Sequence, residues 1–113
     1  MISVLNCIDY EGAMQNGQPI MEGRVKMRFA NGNIYDGEWL NGQANGIGEI
    51  TDVNNNTLIG KFTNGTISGY ARLKDQNGYS YRQYDDQGLL INNNIPKDTI
   101  EYKKRYYVGY DYL

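Results

Sequence analysis

Glycine recurs in this chain at a fixed interval, and that interval limits what the chain can fold into. Gly23, Gly46 and Gly69 stand 23 residues apart, as do Gly42, Gly65 and Gly88. At the same offset Tyr35 falls on Leu58 and Tyr81, Gly37 on Gly60, Trp39 on Phe62, and Gly48 on Ala71. Self-similarity at one offset marks a repeat array, in which each unit buries its apolar face only against its neighbours.

The unit is a β-hairpin. Two series of turn residues interleave: Asn31-Gly32, Asn54-Asn55 and Asn77-Gly78 in one, Asn41-Gly42 and Asn64-Gly65 in the other. Asn-Gly pairs supply the positive φ that tight hairpins need. The runs between them alternate with period two, as strands do. The 14 glycines, 14 asparagines and 11 tyrosines fit turn-rich sheet. The expected fold is all-β: an elongated, single-layer antiparallel array with a 23-residue period, ending in an irregular strand or a short helix. The repeats are assigned to residues 1–95, with best units 35–57 and 58–80 and degenerate units 10–34 and 81–95. A Tyr-rich capping segment follows at 96–113.

"YDGEWLNGQANGIG", residues 35–48, resembles a MORN repeat (membrane occupation and recognition nexus) at Tyr35, Gly37, Trp39, Gly42, Gly46 and Gly48. Residues 58–71 are a softened copy. The resemblance implies a curved single-layer sheet that binds partners or dimerises, with lipid binding as a further family proposal.

Strand parity puts Tyr35, Gly37 and Trp39 on one face, and Asp36 and Glu38 on the other. If residues 40–45 close the hairpin symmetrically, Trp39 lies opposite Gly46 and Gly37 opposite Gly48. Bare backbone beside large aromatics leaves a slot in which rings can lie flat. Tyr35, Trp39, Ile50, Leu58, Phe62, Leu73 and Tyr81 are expected to tile this face. A single layer has no second sheet to cover it. Two readings follow: these residues are simply the core of the repeat array, or part of the face stays open as a partner groove anchored by Tyr35, Trp39, Phe62 and Tyr81 and occupied by a protein or a second copy.

The other face is expected to run from acidic (Asp36, Glu38, Glu49) to basic (Lys61, Arg72, Lys74, Arg82). With Lys103, Lys104 and Arg105, those cations are the candidates for an anionic ligand such as a lipid headgroup. The net charge of −2 does not by itself point to nucleic acid or membrane. The tail "TIEYKKRYYVGYDYL" alternates as a strand does, yet Pro96 and Asp98 can open a short helix. Its tyrosines are expected to pack over the last hairpin.

Catalytic chemistry is sparse. The chain has no histidine and one cysteine, Cys7, so Ser-His-Asp, Cys-His and His- or Cys-rich metal sites have no residues to use. Asp52, Asn54 and Asn56 imitate the start of a calcium loop, but Thr57 and Thr63 replace its Gly and Glu, so the segment reads as a turn. Asp36, Glu38 and Glu49 form no convincing acid pair on an exposed face. The expectation is a non-enzymatic module with no cofactor. The N-terminus lacks a charged, apolar leader, and no run approaches the ~20 apolar residues of a membrane span. A lone cysteine suits a reducing compartment, which places the chain in the cytoplasm.

Overall fold

The computed structural model describes residues 7–20 and 22–113. Met21 and the first six residues of the assigned repeat region lie outside the described residues. Eight strands form one open antiparallel sheet in the order β1 (Cys7–Glu11), β4 (Gly23–Phe29), β5 (Ile34–Leu40), β6 (Gln43–Thr51), β7 (Thr57–Thr63), β8 (Thr66–Asp75), β9 (Gly78–Tyr84) and β10 (Leu90–Asn92). A separate two-stranded hairpin, β2 (Met14–Gln15) with β3 (Gln18–Pro19), is inserted between β1 and β4. One helix, α1 (Lys97–Tyr106), follows the sheet. The molecule is elongated, 48 × 30 × 21 Å.

The hairpin tips carry the expected turn chemistry. Asn16-Gly17, Asn41-Gly42 and Asn64-Gly65 all have positive φ at both positions, the type I′ geometry that matches strand twist. The other turn series is built on Asx turns. The carboxylate of Asp52 accepts from the backbone N–H of Asn54 (2.9 Å) and Asn56 (3.0 Å) and from the Asn56 side chain (3.2 Å). Asp75 and Asp85 do the same for Asn77 and Gln87, each at 2.8 Å. The calcium-like stretch is thus a self-satisfied turn.

Two expectations about register are corrected. Trp39 lies opposite Ala44, not Gly46, because the Asn41-Gly42 turn closes the hairpin in two residues. A bulge around Gly46, where φ is +107°, then restores the pairing of Gly37 with Gly48. The same irregularity recurs on β8 at Gly69, φ +73°. Bulges bend the strand that carries them.

The second correction concerns β9. Phe29 bonds to Asn33 and Asp52 to Asn56 across three-residue loops, but Asp75 pairs with Gly78 across two. One residue fewer reverses every side chain on the following strand. Tyr81 therefore stands beside Arg72 on the outer face, whereas Arg82, opposite Ala71, points to the aromatic face. Tyr84 inherits the aromatic position, opposite Gly69, as Phe62 is opposite Gly46 and Trp39 opposite Gly23.

The core lies on one face. Val25, Met27, Phe29, Tyr35, Trp39, Ala44 and Phe62 are buried together, with Cys7, Tyr10, Ile50 and Ile67 packed on them. The segment carrying the β2–β3 hairpin closes on Tyr10, one of these packed residues, whose hydroxyl donates to the carbonyls of Ala13 (3.0 Å) and Ile20 (2.9 Å). A second, smaller cluster of Ile95, Ile100 and Leu113 packs with Tyr70, Tyr81, Tyr110 and Tyr112.

Candidate functional site

Of the two readings of the aromatic face, core and open groove, the core is the one found for Tyr35, Trp39 and Phe62. Tyr35 is 0 % exposed, Phe62 1 % and Trp39 2 %. Tyr35 meets Trp39 at 5.6 Å between centroids and Phe62 at 5.5 Å, edge to face in the latter case, an arrangement aromatic rings favour. The Tyr35 hydroxyl donates to the Glu38 carbonyl at 2.6 Å, and burial, with Glu38 next, raises its pKa. The glycine slot exists, but Tyr35 fills it from within the hairpin. Tyr81 is absent from this cluster, carried to the opposite face by the shorter loop. The four expected anchors therefore do not share a surface, and three of them are inaccessible.

The cations are dispersed as well. Lys61, Arg72 and Lys74 share the outer face by register, but Arg82 does not. Arg72 is engaged: Nη1 donates to the Leu113 carbonyl at 2.9 Å, and its guanidinium lies 4.7 Å from the centre of the Tyr79 ring. Lys74 sits 5.6 Å from the same ring. Arg82 donates to the Tyr84 hydroxyl at 3.4 Å. The acidic first half is also balanced. On that face Arg24, Lys26 and Arg28 of β4 pair with Glu38, Asp36 and Ile34, and Arg24 meets the Asp36 carboxylate at 3.4 Å. Arg28 meets Asp9, also at 3.4 Å. Glu38 folds over Gly46 and accepts from the Ile47 backbone N–H. Asp36 and Glu49 do pair directly, as parity implied.

The tail carries an exposed apolar surface. Of its two expected forms, the helix is the one found. Asp98 in its first turn and Lys103, Lys104 and Arg105 in its last complement the helix dipole. Ile100 anchors it at 0 % exposure against the outer face of β8 and β9. The helix thus covers the face opposite the aromatic core. Tyr110 and Tyr112 pack over the last full hairpin, with the Tyr112 hydroxyl donating to the Tyr70 carbonyl at 3.3 Å. Tyr102, Tyr106, Tyr107 and Val108 instead face outward, 56, 65, 51 and 103 % exposed. Tyr102 stacks on Tyr106 at 4.8 Å and lies 6.1 Å from Tyr107. Lys104 and Arg105 are exposed among them. Sequence reasoning named Lys103, Lys104 and Arg105 as weak phosphate contacts. It missed Tyr102, Tyr106, Tyr107 and Val108 as an apolar surface, because the strand reading placed Tyr102 and Tyr106 on one packed face.

Among the described residues no group of His, Cys, Asp and Glu side chains is arranged to hold a metal ion. Nor is any helix there long and apolar enough to cross a membrane.

An open antiparallel array of β-hairpins, with an aromatic opposite a positive-φ glycine in each unit, is the architecture of a β-hairpin repeat array. The family model for the MORN repeat matches residues 35–57, so this hairpin is a MORN repeat, and its fold is the one that family builds. No curated protein matches the chain. MORN repeats serve in general as modules for protein or membrane interaction.

Proposed function

We propose that this chain is a non-enzymatic, cytoplasmic interaction module. Its MORN-type sheet is a stiff carrier, and its C-terminal helix and tail present the surface that takes a protein partner. The observation supporting this reading is the exposure of Tyr102, Tyr106, Tyr107 and Val108 within one short segment. Contiguous exposed apolar surface marks interaction sites, and tyrosine and arginine are enriched among the residues that dominate interface energy. The aromatic core of the sheet keeps the carrier in shape and is not the contact itself.

The test is affinity capture from the native host with the wild type and a Tyr102→Ser/Tyr106→Ser variant. Both side chains are exposed, so the variant keeps its melting temperature while it loses the captured protein. Equal capture by both would overturn the reading. A partner that proves to be a second copy appears as a concentration-dependent dimer in sedimentation, abolished by the same variant.

A second reading has its own support. Lys104 and Arg105 stand exposed beside Tyr106 and Tyr107 and, among the described residues, form no ion pair. Basic residues with interfacial tyrosines suit an anionic membrane surface. Co-sedimentation with anionic vesicles at two salt concentrations separates the two, since only the membrane reading requires binding that salt abolishes.

A further inference from the structure

Lys103 occupies an unusual place for a helical lysine near the end of a surface helix. Its ammonium lies 4.8 Å from the centre of the Tyr107 ring, 5.3 Å from Tyr70 and 5.8 Å from Tyr110. A cation within about 6 Å of one aromatic face is already attracted by the ring quadrupole. Here three rings share one ammonium.

The rings come from three separate parts of the chain. Tyr70 projects from β8. Tyr107 closes the helix, its backbone N–H donating to the Lys103 carbonyl at 2.8 Å, which sets its ring one turn from the lysine. Tyr110 stands in the tail after Gly109, whose φ of +92° turns the chain back. Tyr70 and Tyr110 meet at 5.8 Å and 62°, and Tyr107 and Tyr110 at 6.5 Å and 77°. Steeply inclined neighbours present walls to a common space rather than stacking flat. Among the described residues no carboxylate lies within ion-pairing distance of Lys103, so the rings are its counter-charge.

We infer that Tyr70, Tyr107 and Tyr110 form an aromatic cage for a methylated lysine side chain, which the chain's own Lys103 fills when no ligand is present. A methylated ammonium suits such a cage better than Lys103 does. It donates fewer hydrogen bonds to water, so it loses less on leaving solvent, while its charge still reaches all three π-faces. The occupant already seated is a lysine stem, which is why a lysine side chain is the ligand and not a smaller cation. Lys103 is half-buried and tethered only by its own helix, so rotation of its flexible stem toward solvent vacates the space.

The test uses the full chain and nuclear magnetic resonance. In the wild type, the Lys103 side-chain protons next to nitrogen should be shifted upfield by ring current. Random-coil values there would overturn the cage. Lys103→Ala should then bind N-acetyl-trimethyllysine amide saturably, moving the ring resonances of Tyr70, Tyr107 and Tyr110, at least ten-fold tighter than the wild type does. Adding Tyr110→Leu to Lys103→Ala should remove that binding. A neutral isostere bearing a tert-butyl group in place of the trimethylammonium should bind at least ten-fold more weakly. Equal binding of the isostere would reduce the site to an apolar crevice and overturn the proposal, as would preferential binding of phosphocholine over trimethyllysine. Should Lys103→Ala fail to fold, Lys103→Ser is carried through the same titration, and the wild-type ring-current measurement stands in either case.

Discussion

The ring of Tyr35 fills the volume a side chain on Gly48 would need. A Cβ built on that glycine would stand 2.5 Å from Cε2 and 2.6 Å from Cζ of the tyrosine. Tyr35 cannot swing away, since it is wholly buried between Trp39 and Phe62. Gly48→Val should therefore destabilise the fold by at least the 1–3 kcal/mol typical of overpacking, roughly. Chemical denaturation checks this. A valine variant with the wild-type midpoint would mean that Tyr35 does not rest on Gly48.

Gly69 makes a useful contrast, because nothing lies within 4 Å of a Cβ placed there. Its cost is conformational. At φ +73° an L-residue pays about 1–2 kcal/mol for the left-handed region. Gly69→Ala should lose that amount, while Gly69→Asn, which tolerates this geometry better, should lose less. The order Gly, Asn, Ala in melting temperature is the expected result. An alanine variant as stable as wild type would show that the bulge relaxes when its glycine is replaced.

Trp39 reports on the same core by fluorescence, since it is the only tryptophan. At 2 % exposure its emission should be blue-shifted and protected from quenchers. Trp39→Ala should cost about 3–5 kcal/mol, enough to unfold a marginal domain of this size. Its Nε1–H has no hydrogen-bond partner among the described residues, so Trp39→Phe should recover a large part of that loss. Red-shifted, readily quenched emission would reopen the aromatic face as a groove.

The repeat was legible in the sequence because its cause is local. Asn41-Gly42 and Asn64-Gly65 adopt the positive φ that their types predict, and Gly37, Gly48 and Gly60 align across three strands as the 23-residue offset requires. What the sequence hid depends on counting single residues. Tyr81 keeps the offset yet changes face, because the Asp75–Gly78 turn closes one residue early. Periodicity cannot reveal that, since the spacing of the glycines is unchanged. The choice between core and groove for the aromatic face stayed open for another reason: parity tells which residues share a face, not whether they cover each other. The tail misled through composition. Its tyrosines alternate and favour strands, but Ile100 is the buried apolar anchor of the helix, and Tyr102, Tyr106 and Tyr107 stay largely exposed, packed on one another rather than on the sheet.

Two tyrosines make stability fall at high pH. Burial, with Tyr110 as the lesser cause, pushes Tyr112 up to about 12, and burial likewise raises Tyr35, helped by Glu38 and Asp36 and opposed by Arg24. In the unfolded chain both ionise near the ordinary value of about 10. Between that value and the native one, the unfolded state releases protons that the native state retains, so rising pH favours unfolding. The contribution is fully present below about pH 10 and is lost progressively as pH climbs toward the native values. Urea midpoints should be level up to that point and decline above it. A tyrosinate absorbance titration should show two of the 11 tyrosines ionising only as strand circular dichroism is lost. Tyr112→Phe should make the decline shallower, and should also weaken the fold slightly through its lost bond to the Tyr70 carbonyl. If every tyrosine ionised together near pH 10 while the sheet stayed intact, neither ring would be buried as described.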